Sequence, residues 1–195
     1  MNLTYDQTQT ETKASRPTIS HWFNLCRGVC FIANMNNETN TGGKIGGEGK
    51  VVEVDETKIG KRKFNRGRLT DGHWIFGMVE RDSGKLRLEV CPDNKRDHQT
   101  LLSLINKHVE KNTTIMSNGW RGYSKLEEAG FKHFSVNHSK FFVDPVTGAH
   151  TQQIESSWRA MKRRLSRGGI KSTAYDLHFA DICGSNQEKK ITSLN

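Results

Sequence analysis

The chain has 195 residues, of which 33% are hydrophobic and 26% are charged, and its formal net charge is +9. This length favours one domain with polar ends. No apolar stretch approaches the ~20 residues needed to cross a bilayer, so the composition excludes a membrane span. The polar first fifteen residues predict no secretory signal peptide. The excess of cations favours a polyanionic partner such as nucleic acid.

The chain begins with a polar segment, which we assign to residues 1–46. Residues 1–17 are rich in Thr, Gln, Asn and Lys, a composition typical of disordered chain. Apolar side chains at helical spacing predict a short helix over residues 19–33. Residues 34–50 carry Asn, Thr and several glycines and indicate a linker. The main domain is therefore expected to begin at residue 47.

Strand and helix patterns then alternate up to residue 166. The predicted strands cover residues 50–55, 73–80, 85–91, 113–116 and 132–136, and a turn at 81–84 joins the second to the third. The predicted helices cover residues 97–110, 122–129 and 151–165. Three antiparallel strands followed by crossovers through helices predict an α/β fold over residues 47–166 with a mixed sheet. This is the layout of the ribonuclease H-like fold, and other α/β domains could produce the same order of elements. Residues 167–195 are weakly patterned and predict a weakly ordered basic tail, with one helix near residues 174–182.

Two acids in this domain are candidates for metal-dependent chemistry. Asp55 is expected to end the first strand, with Glu53 on the same side of that strand. Glu155 lies on the last predicted helix, and Arg159 and Lys162 follow on the same helix face. Phosphodiester transfer with two metal ions requires carboxylates from separate segments. Two simpler interpretations stay open, a solvated acid at a strand end and an exposed ladder of ion pairs.

Two runs of cations contain no acid, and each lies near one of these candidate acids. Such runs are typical of a solvated surface or a localisation signal, and here they also suit the gripping of a phosphate backbone. The predicted DNA-contacting residues are Lys61, Arg62, Lys63, Arg66 and Arg68 in the first run, and Arg159, Lys162, Arg163 and Arg164 in the second.

The histidines and cysteines do not match a zinc-site spacing. His133, His138 and His150 follow no zinc pattern, which favours solvent-exposed or hydrogen-bonded roles. Cys26 and Cys30 are one helical turn apart and have no second pair at zinc-ribbon spacing. Free thiols are the preferred interpretation.

Six motifs occur in series between residues 51 and 158. They are VVEVDET (Val51–Thr57), GKRKFNRGR (Gly60–Arg68), WIFG (Trp74–Gly77), SNGWRGY (Ser117–Tyr123), VNHS (Val136–Ser139) and FVDPVTGAHTQQIESSW (Phe142–Trp158). In combination they resemble the Merlin-type DNA transposases of eukaryotes and the related bacterial ISXO2-like insertion-sequence transposases. The resemblance extends over residues 47–165.

This resemblance implies a ribonuclease H-like domain in which an Asp-Asp-Glu triad binds Mg²⁺ or Mn²⁺ and cleaves and joins DNA strands. Carried over by motif, Asp55 is the first acid and Glu155 the third, and both are expected metal ligands. Lys162 matches the family's basic residue on the same helix. The implied partner is double-stranded DNA of transposon ends and target, with homo-oligomers as a further expectation and no membrane. The implied location is the nucleus, or the cytoplasm and nucleoid of a bacterium.

One position departs from the family pattern. Asn118 stands where the resemblance places the second acid, and an amide brings no negative charge to bridge two cations. We therefore expect weak or absent metal binding and little or no transposition. An active transposase that tolerates Asn118 and a non-catalytic basic nucleic-acid-binding module are the alternatives. The helix around Trp22 is interpreted as a remnant of the family's DNA-recognition region.

Overall fold

The computed structural model describes residues 3–41, 43–60, 71–165 and 174–192. Two N-terminal helices precede a unit in which strands and helices alternate. The elements are α1 (Tyr5–Thr12), α2 (Arg16–Thr41), β1 (Val51–Ile59), β2 (His73–Glu80), β3 (Leu86–Val90), α3 (His98–His108), β4 (Thr114–Asn118), β5 (Lys132–Val136), α4 (Gln152–Arg164) and α5 (Tyr175–Thr192). Of the helices in these ranges, none is both long and apolar enough to cross a membrane.

The five strands form one mixed sheet in the order β3-β2-β1-β4-β5. The first three are antiparallel, and the tight turn at residues 81–84 joins β2 to β3 as predicted. β4 pairs with β1 in parallel, and β5 pairs with β4 in parallel, so each of these pairings follows a crossover. The predicted ribonuclease H-like α/β fold is confirmed, and β1 lies at the centre of the sheet.

The sheet has an apolar core on each face. Val52 and Val54 of β1 pack with Leu101 and Ile105 of α3 on one face. The opposite face packs against α4 and α5, through residues that include Ile75, Val79, Ile154, Met161 and Phe179. The alternation of β1 therefore places Val52 and Val54 towards α3, and it directs Glu53 and Asp55 towards α4.

Close packing of α4 on the sheet depends on Gly77 in β2. Gly77 lies opposite Asp55 in the antiparallel register. A Cβ atom at position 77 would lie 2.4 Å from the ring of Trp158 and 2.9 Å from Ile154. Because glycine has no side chain, the indole of Trp158 can lie directly over the strand beside Asp55. This explains why a glycine ends the WIFG motif.

The helix predicted near residues 174–182 is present as the first half of α5, which continues to Thr192 where a weakly ordered tail was predicted. Tyr175, Phe179 and Ile182 are buried on one side of α5 against the core that contains Leu86. These apolar residues recur at helical spacing, but the polar residues between them keep the average pattern weak. Tertiary packing therefore stabilises a helix that local propensity indicates poorly.

Three smaller predictions are also corrected. Residues 5–12, expected to be disordered, form α1, which begins with a capping box between Thr4 and Gln7. α2 continues to residue 41, through the first half of the predicted linker, and Ile45 is buried and bridged to Val109. The predicted helix at 122–129 is instead a 3₁₀ turn at Arg121–Tyr123 followed by further turns.

Candidate active site

The structure brings Asp55, Asn118 and Glu155 together on the α4 side of the sheet. The parallel register pairs Glu53 of β1 with Met116 of β4, so Asp55 and Asn118 lie side by side two residues further on. Asn118 Nδ2 donates a hydrogen bond to Asp55 Oδ1 at 2.9 Å. Glu155 lies near enough for its charge to act on Asp55. Asp55 does not end its strand, because β1 continues to Ile59 by pairing with β2 alone.

Both carboxylate oxygens of Asp55 accept hydrogen bonds from neutral side chains. Oδ1 accepts from Asn118, and Oδ2 accepts from the indole Nε1 of Trp158 at 2.9 Å. Burial raises the pKa of Asp55, the charge of Glu155 raises it further, and the bond from Trp158 partly offsets this. The carboxylate is therefore hydrogen-bonded on both oxygens while its charge is compensated only in part.

A backbone contact fixes the orientation of the Asn118 amide. Asn118 Oδ1 accepts from the backbone N–H of Trp120 at 3.0 Å. Only the oxygen of an amide can accept this bond, so the NH₂ group must face Asp55. An aspartate in the same rotamer would place an oxygen about where that NH₂ group lies, in contact with Asp55 Oδ1. Two carboxylate oxygens at that separation require a shared proton or a cation.

Glu155 is held near the start of α4 by groups from the loop before it. Thr151 Oγ1 donates to Glu155 Oε1 at 3.0 Å. His138 Nε2 lies 2.7 Å from the Thr151 hydroxyl and 3.4 Å from Glu155 Oε1. The side chain of Glu155 is 40% exposed, so it remains open to solvent. Sequence reasoning did not assign His138 to the site, although the VNHS motif marked its position.

Glu53 anchors the start of α4 on the central strand. Its buried carboxylate accepts from the backbone N–H groups of Gln153 and Ile154, at 2.8 and 3.1 Å. Arg81 Nε donates to the other carboxylate oxygen at 2.7 Å. The N-cap residue Thr151 makes no side-chain cap bond, so Glu53 satisfies these helix-terminal donors instead. The position of Glu155 relative to Asp55 follows from this anchor.

Glu56 belongs to the opposite face of β1 and does not join the three central residues. Tyr123 Oη donates to Glu56 Oε2 at 2.8 Å, on the α3 side of the sheet. Burial raises the pKa of Glu56 to about 7. Glu56 therefore does not supply a carboxylate at the place where the resemblance to transposases expects the second acid. Asp97, another nearby acid in sequence, caps α3 through Thr100.

The donor set fits a pair of divalent cations poorly. Carboxylate and amide oxygens are the ligand types that Mg²⁺ prefers. The amide oxygen of Asn118 is bonded to the Trp120 backbone, however, and its NH₂ group lies against Asp55. Within the described ranges, no three His, Cys, Asp or Glu side chains are grouped to hold a metal ion. The Asn118 amide donates a hydrogen bond to Asp55 at the position where two-metal chemistry requires a bridging carboxylate.

The predicted DNA-contacting cations of α4 are exposed next to this site. Arg159, Lys162 and Arg163 are exposed and Arg164 is half-buried. Among the residues that the structure describes, none of these four forms an ion pair, so the exposed ladder of ion pairs is not present. The other predicted contacts lie outside the described residues: Lys61, Arg62, Lys63, Arg66 and Arg68.

The sequence profile of the ISXO2-like transposase domain matches residues 44–174. The chain belongs to the ISXO2-like transposase family. An uncharacterised transposase-like protein of Haemophilus influenzae is 28% identical over 83 residues, which are 42% of this chain. The match spans 66% of that bacterial protein's length. Members of the ISXO2-like transposase family therefore share the segment that holds all three candidate site residues.

Two solved structures are similar to this ISXO2-like transposase domain in outline. The catalytic core domain of BIV integrase is 15% identical, with a TM-score of 0.44, over 74% of this chain and 98% of that one. A simian T-cell lymphotropic virus intasome in complex with a PP2A regulatory subunit is 13% identical, with a TM-score of 0.44. That similarity covers 70% of this chain and 48% of the intasome chain.

Proposed function

We propose that this ISXO2-like transposase domain binds DNA and is impaired in DDE-type strand cleavage and joining. The observation that carries the proposal is the hydrogen bond from Asn118 Nδ2 to Asp55 Oδ1. In a two-metal site the corresponding carboxylate would bridge cations that stabilise the attacking and leaving oxygens. The amide directs hydrogen atoms to this place and carries no charge, so transition-state stabilisation is lost.

Double-stranded DNA is the proposed partner, as transposon ends and as target. The net charge of +9 and the exposed cations of α4 beside Glu155 support binding to a phosphate backbone. We assign the domain to the Merlin-type branch of these transposases and propose homo-oligomers on DNA. Its proposed location is the nucleus of a eukaryotic cell, or the nucleoid for a bacterial member.

Strand transfer with pre-cut transposon-end DNA tests this proposal. The wild-type protein should bind the DNA but form no joined product with Mg²⁺ or Mn²⁺. Asn118→Asp should restore metal-dependent joining, because it returns a carboxylate to the position beside Asp55. Asn118→Ala is the matched control, since it removes the amide without supplying a charge and should stay inactive.

Two results would favour the alternatives instead. Robust joining by the wild-type protein would identify an active transposase that tolerates Asn118. If Asp55→Ala and Glu155→Ala leave every metal response of Asn118→Asp unchanged, the protein is a basic nucleic-acid-binding module without cutting chemistry. A wild-type protein that does not bind DNA at physiological salt would contradict the proposal as a whole.

A further inference from the structure

An arginine is stacked between two tryptophans on the α3 side of the candidate site. The Arg96 guanidinium carbon lies 4.1 Å from the ring centroids of both Trp74 and Trp120. Two further cations lie 5.6 Å from the ring centroids, Lys58 at Trp74 and Arg121 at Trp120. We call these three central residues, Trp74, Arg96 and Trp120, the arginine stack. Indole rings on both sides hold a guanidinium in one plane and one orientation.

The arginine stack is connected directly to the residue that replaces the second acid. The backbone N–H of Trp120 donates to Asn118 Oδ1, and its indole Nε1 donates to the backbone oxygen of Arg96 at 3.3 Å. Trp74 is held from the other end by Asn94, whose Oδ1 accepts from the Trp74 backbone N–H. A ligand on the arginine stack would therefore lie next to the Asn118 end of the site.

A basic cavity of about 430 Å³ opens beside the arginine stack. This volume is within the roughly 300–1,000 Å³ that is typical of ligand sites. Its lining is mainly cationic and aromatic, and the one acid, Asp97, already accepts a hydrogen bond from the backbone N–H of Thr100. The basic and aromatic residues of the lining are Lys95, Arg96, His98, Trp120 and Arg121.

Arg96 retains its hydrogen-bond donors for a ligand. In the part of the chain that the structure describes, its guanidinium forms no ion pair. The acid whose charge it influences is Glu56, and burial raises the pKa of Glu56 to about 7. Because two indole rings lie within 4.1 Å of the guanidinium carbon, its N–H groups are the part left for a ligand, and they suit bidentate contact with a phosphate.

We propose that the arginine stack and its basic cavity bind a phosphate of the DNA strand that passes the Asn118 end of the site. This inference rests on the proposed DNA-binding function and names a second contact surface for it. The cations of α4 lie on one side of the sheet, and the arginine stack lies on the α3 side. A DNA duplex that lies across the edge of the sheet would contact both the α4 cations and the arginine stack. The two surfaces together would then fix the orientation of the duplex on the protein.

Fluorescence anisotropy with a labelled pre-cut duplex, measured over a range of salt concentrations, tests the proposal. Arg96→Gln should weaken binding several-fold and lower the slope of log K against log salt by about 0.9, the loss of one phosphate contact. Arg121→Gln is a second variant at an exposed position, and it should lower the slope in the same way. Lys85→Gln, at an exposed cation just before β3, is the matched control and should leave the slope unchanged.

The possible failures can be told apart. If the wild-type protein binds the duplex and both Arg96→Gln and Arg121→Gln keep its affinity and slope, the arginine stack does not contact DNA and the inference is wrong. If the wild-type protein itself fails to bind, the proposed DNA-binding function falls and the inference falls with it. Thermal unfolding of each variant shows whether Arg96→Gln stays folded, and the exposed Arg121 variant decides the matter if it does not.

Discussion

Glu53 and Asp55 lie two residues apart on the same face of β1, yet their surroundings differ in kind. Glu53 is fully buried and binds one arginine and two backbone N–H groups at the start of α4. Asp55 receives hydrogen bonds from Asn118 and Trp158, which are both neutral. Among the described residues, Glu53 therefore forms an ion pair with a cation, whereas Asp55 forms none.

This difference separates an acid that anchors the fold from an acid whose hydrogen-bond partners are neutral. A buried charge with a matched cation and helix-terminal donors is fixed in place and leaves little to offer a ligand. The negative charge of Asp55 is stabilised only in part by its neutral hydrogen-bond donors. Burial raises the pKa of Asp55, and the charge of Glu155 raises it further. Reactive groups are commonly found in such incompletely compensated surroundings.

The largest effect is expected from Glu53→Gln. Removing the charge breaks the ion pair with Arg81 and weakens the anchor of α4. Loss of one partner from a buried pair costs about 3–5 kcal/mol, and urea unfolding should show a decrease of this size in the free energy of unfolding. Glu48→Gln, at an exposed acid, is the control and should change stability little. A decrease below about 1 kcal/mol for Glu53→Gln would show that Glu53 is not a structural anchor.

A smaller loss is expected from Gly77→Ala, which breaks the contact beside Asp55. The added methyl group would meet the Trp158 ring at 2.4 Å, so the ring and α4 must shift. Overpacking of this kind costs about 1–3 kcal/mol in the free energy of unfolding. Gly119→Ala is the matched control, because nothing lies within 4 Å of a Cβ atom at position 119. Equal stability of the two variants would contradict the close packing described for α4.

Glu56→Gln should change how the free energy of unfolding depends on pH. The pKa of Glu56 is raised from 4.5 to about 7 in the folded protein by burial. Between these two values the unfolded chain releases the proton while the folded protein keeps it, so the wild type loses stability as pH rises. Glutamine mimics the protonated form and does not titrate.

The stability of Glu56→Gln relative to wild type should therefore rise from pH 4.5 to about pH 7 and stay level above it. Denaturant unfolding at several pH values measures this difference, and other titrating groups cancel in the comparison. A relative stability that is independent of pH would show that Glu56 ionises normally in the folded protein.

The smallest effect on stability is expected from Lys162→Gln on α4. Its side chain is exposed, so the free energy of unfolding should change by no more than about 0.5 kcal/mol. If Lys162 contacts a phosphate, the slope of log K against log salt for DNA binding should fall by about 0.9. An unchanged slope would remove Lys162 from the proposed DNA interface.

The central sheet could be predicted because each of its strands and turns is marked by residues that are close together in the sequence. Alternating β-branched residues gave β1, and the turn at 81–84 gave the hairpin of β2 and β3. A helix was predicted near residues 174–182, but the length of α5 was underestimated, because its apolar stripe is narrow and its stabilising contacts are with residues nearly a hundred positions earlier, such as Leu86. Disorder was predicted for residues 5–12, although Thr4 and Gln7 carry a capping box.

In the candidate site, too, some residues could be named from sequence motifs and others could not. The resemblance to transposases named Asp55, Asn118 and Glu155, and the fold brings these three together. The anchoring role of Glu53 could not be predicted, because it depends on backbone groups of Gln153 and Ile154 a hundred residues later. The arginine stack was likewise invisible, since its members come from three separate segments. Side-chain contacts of this kind depend on the packed fold and not on local pattern.

Calorimetric titration of the wild-type protein and Asn118→Asp with Mn²⁺ measures whether the amide of Asn118 prevents cation binding at Asp55. It reads cation binding without requiring DNA or activity. The wild type should show weak or no binding, because the Asn118 amide lies against Asp55. Asn118→Asp should bind Mn²⁺ clearly, and the further change Asp55→Asn should abolish that binding. Equal affinity of the wild type and Asn118→Asp for Mn²⁺ would contradict the account.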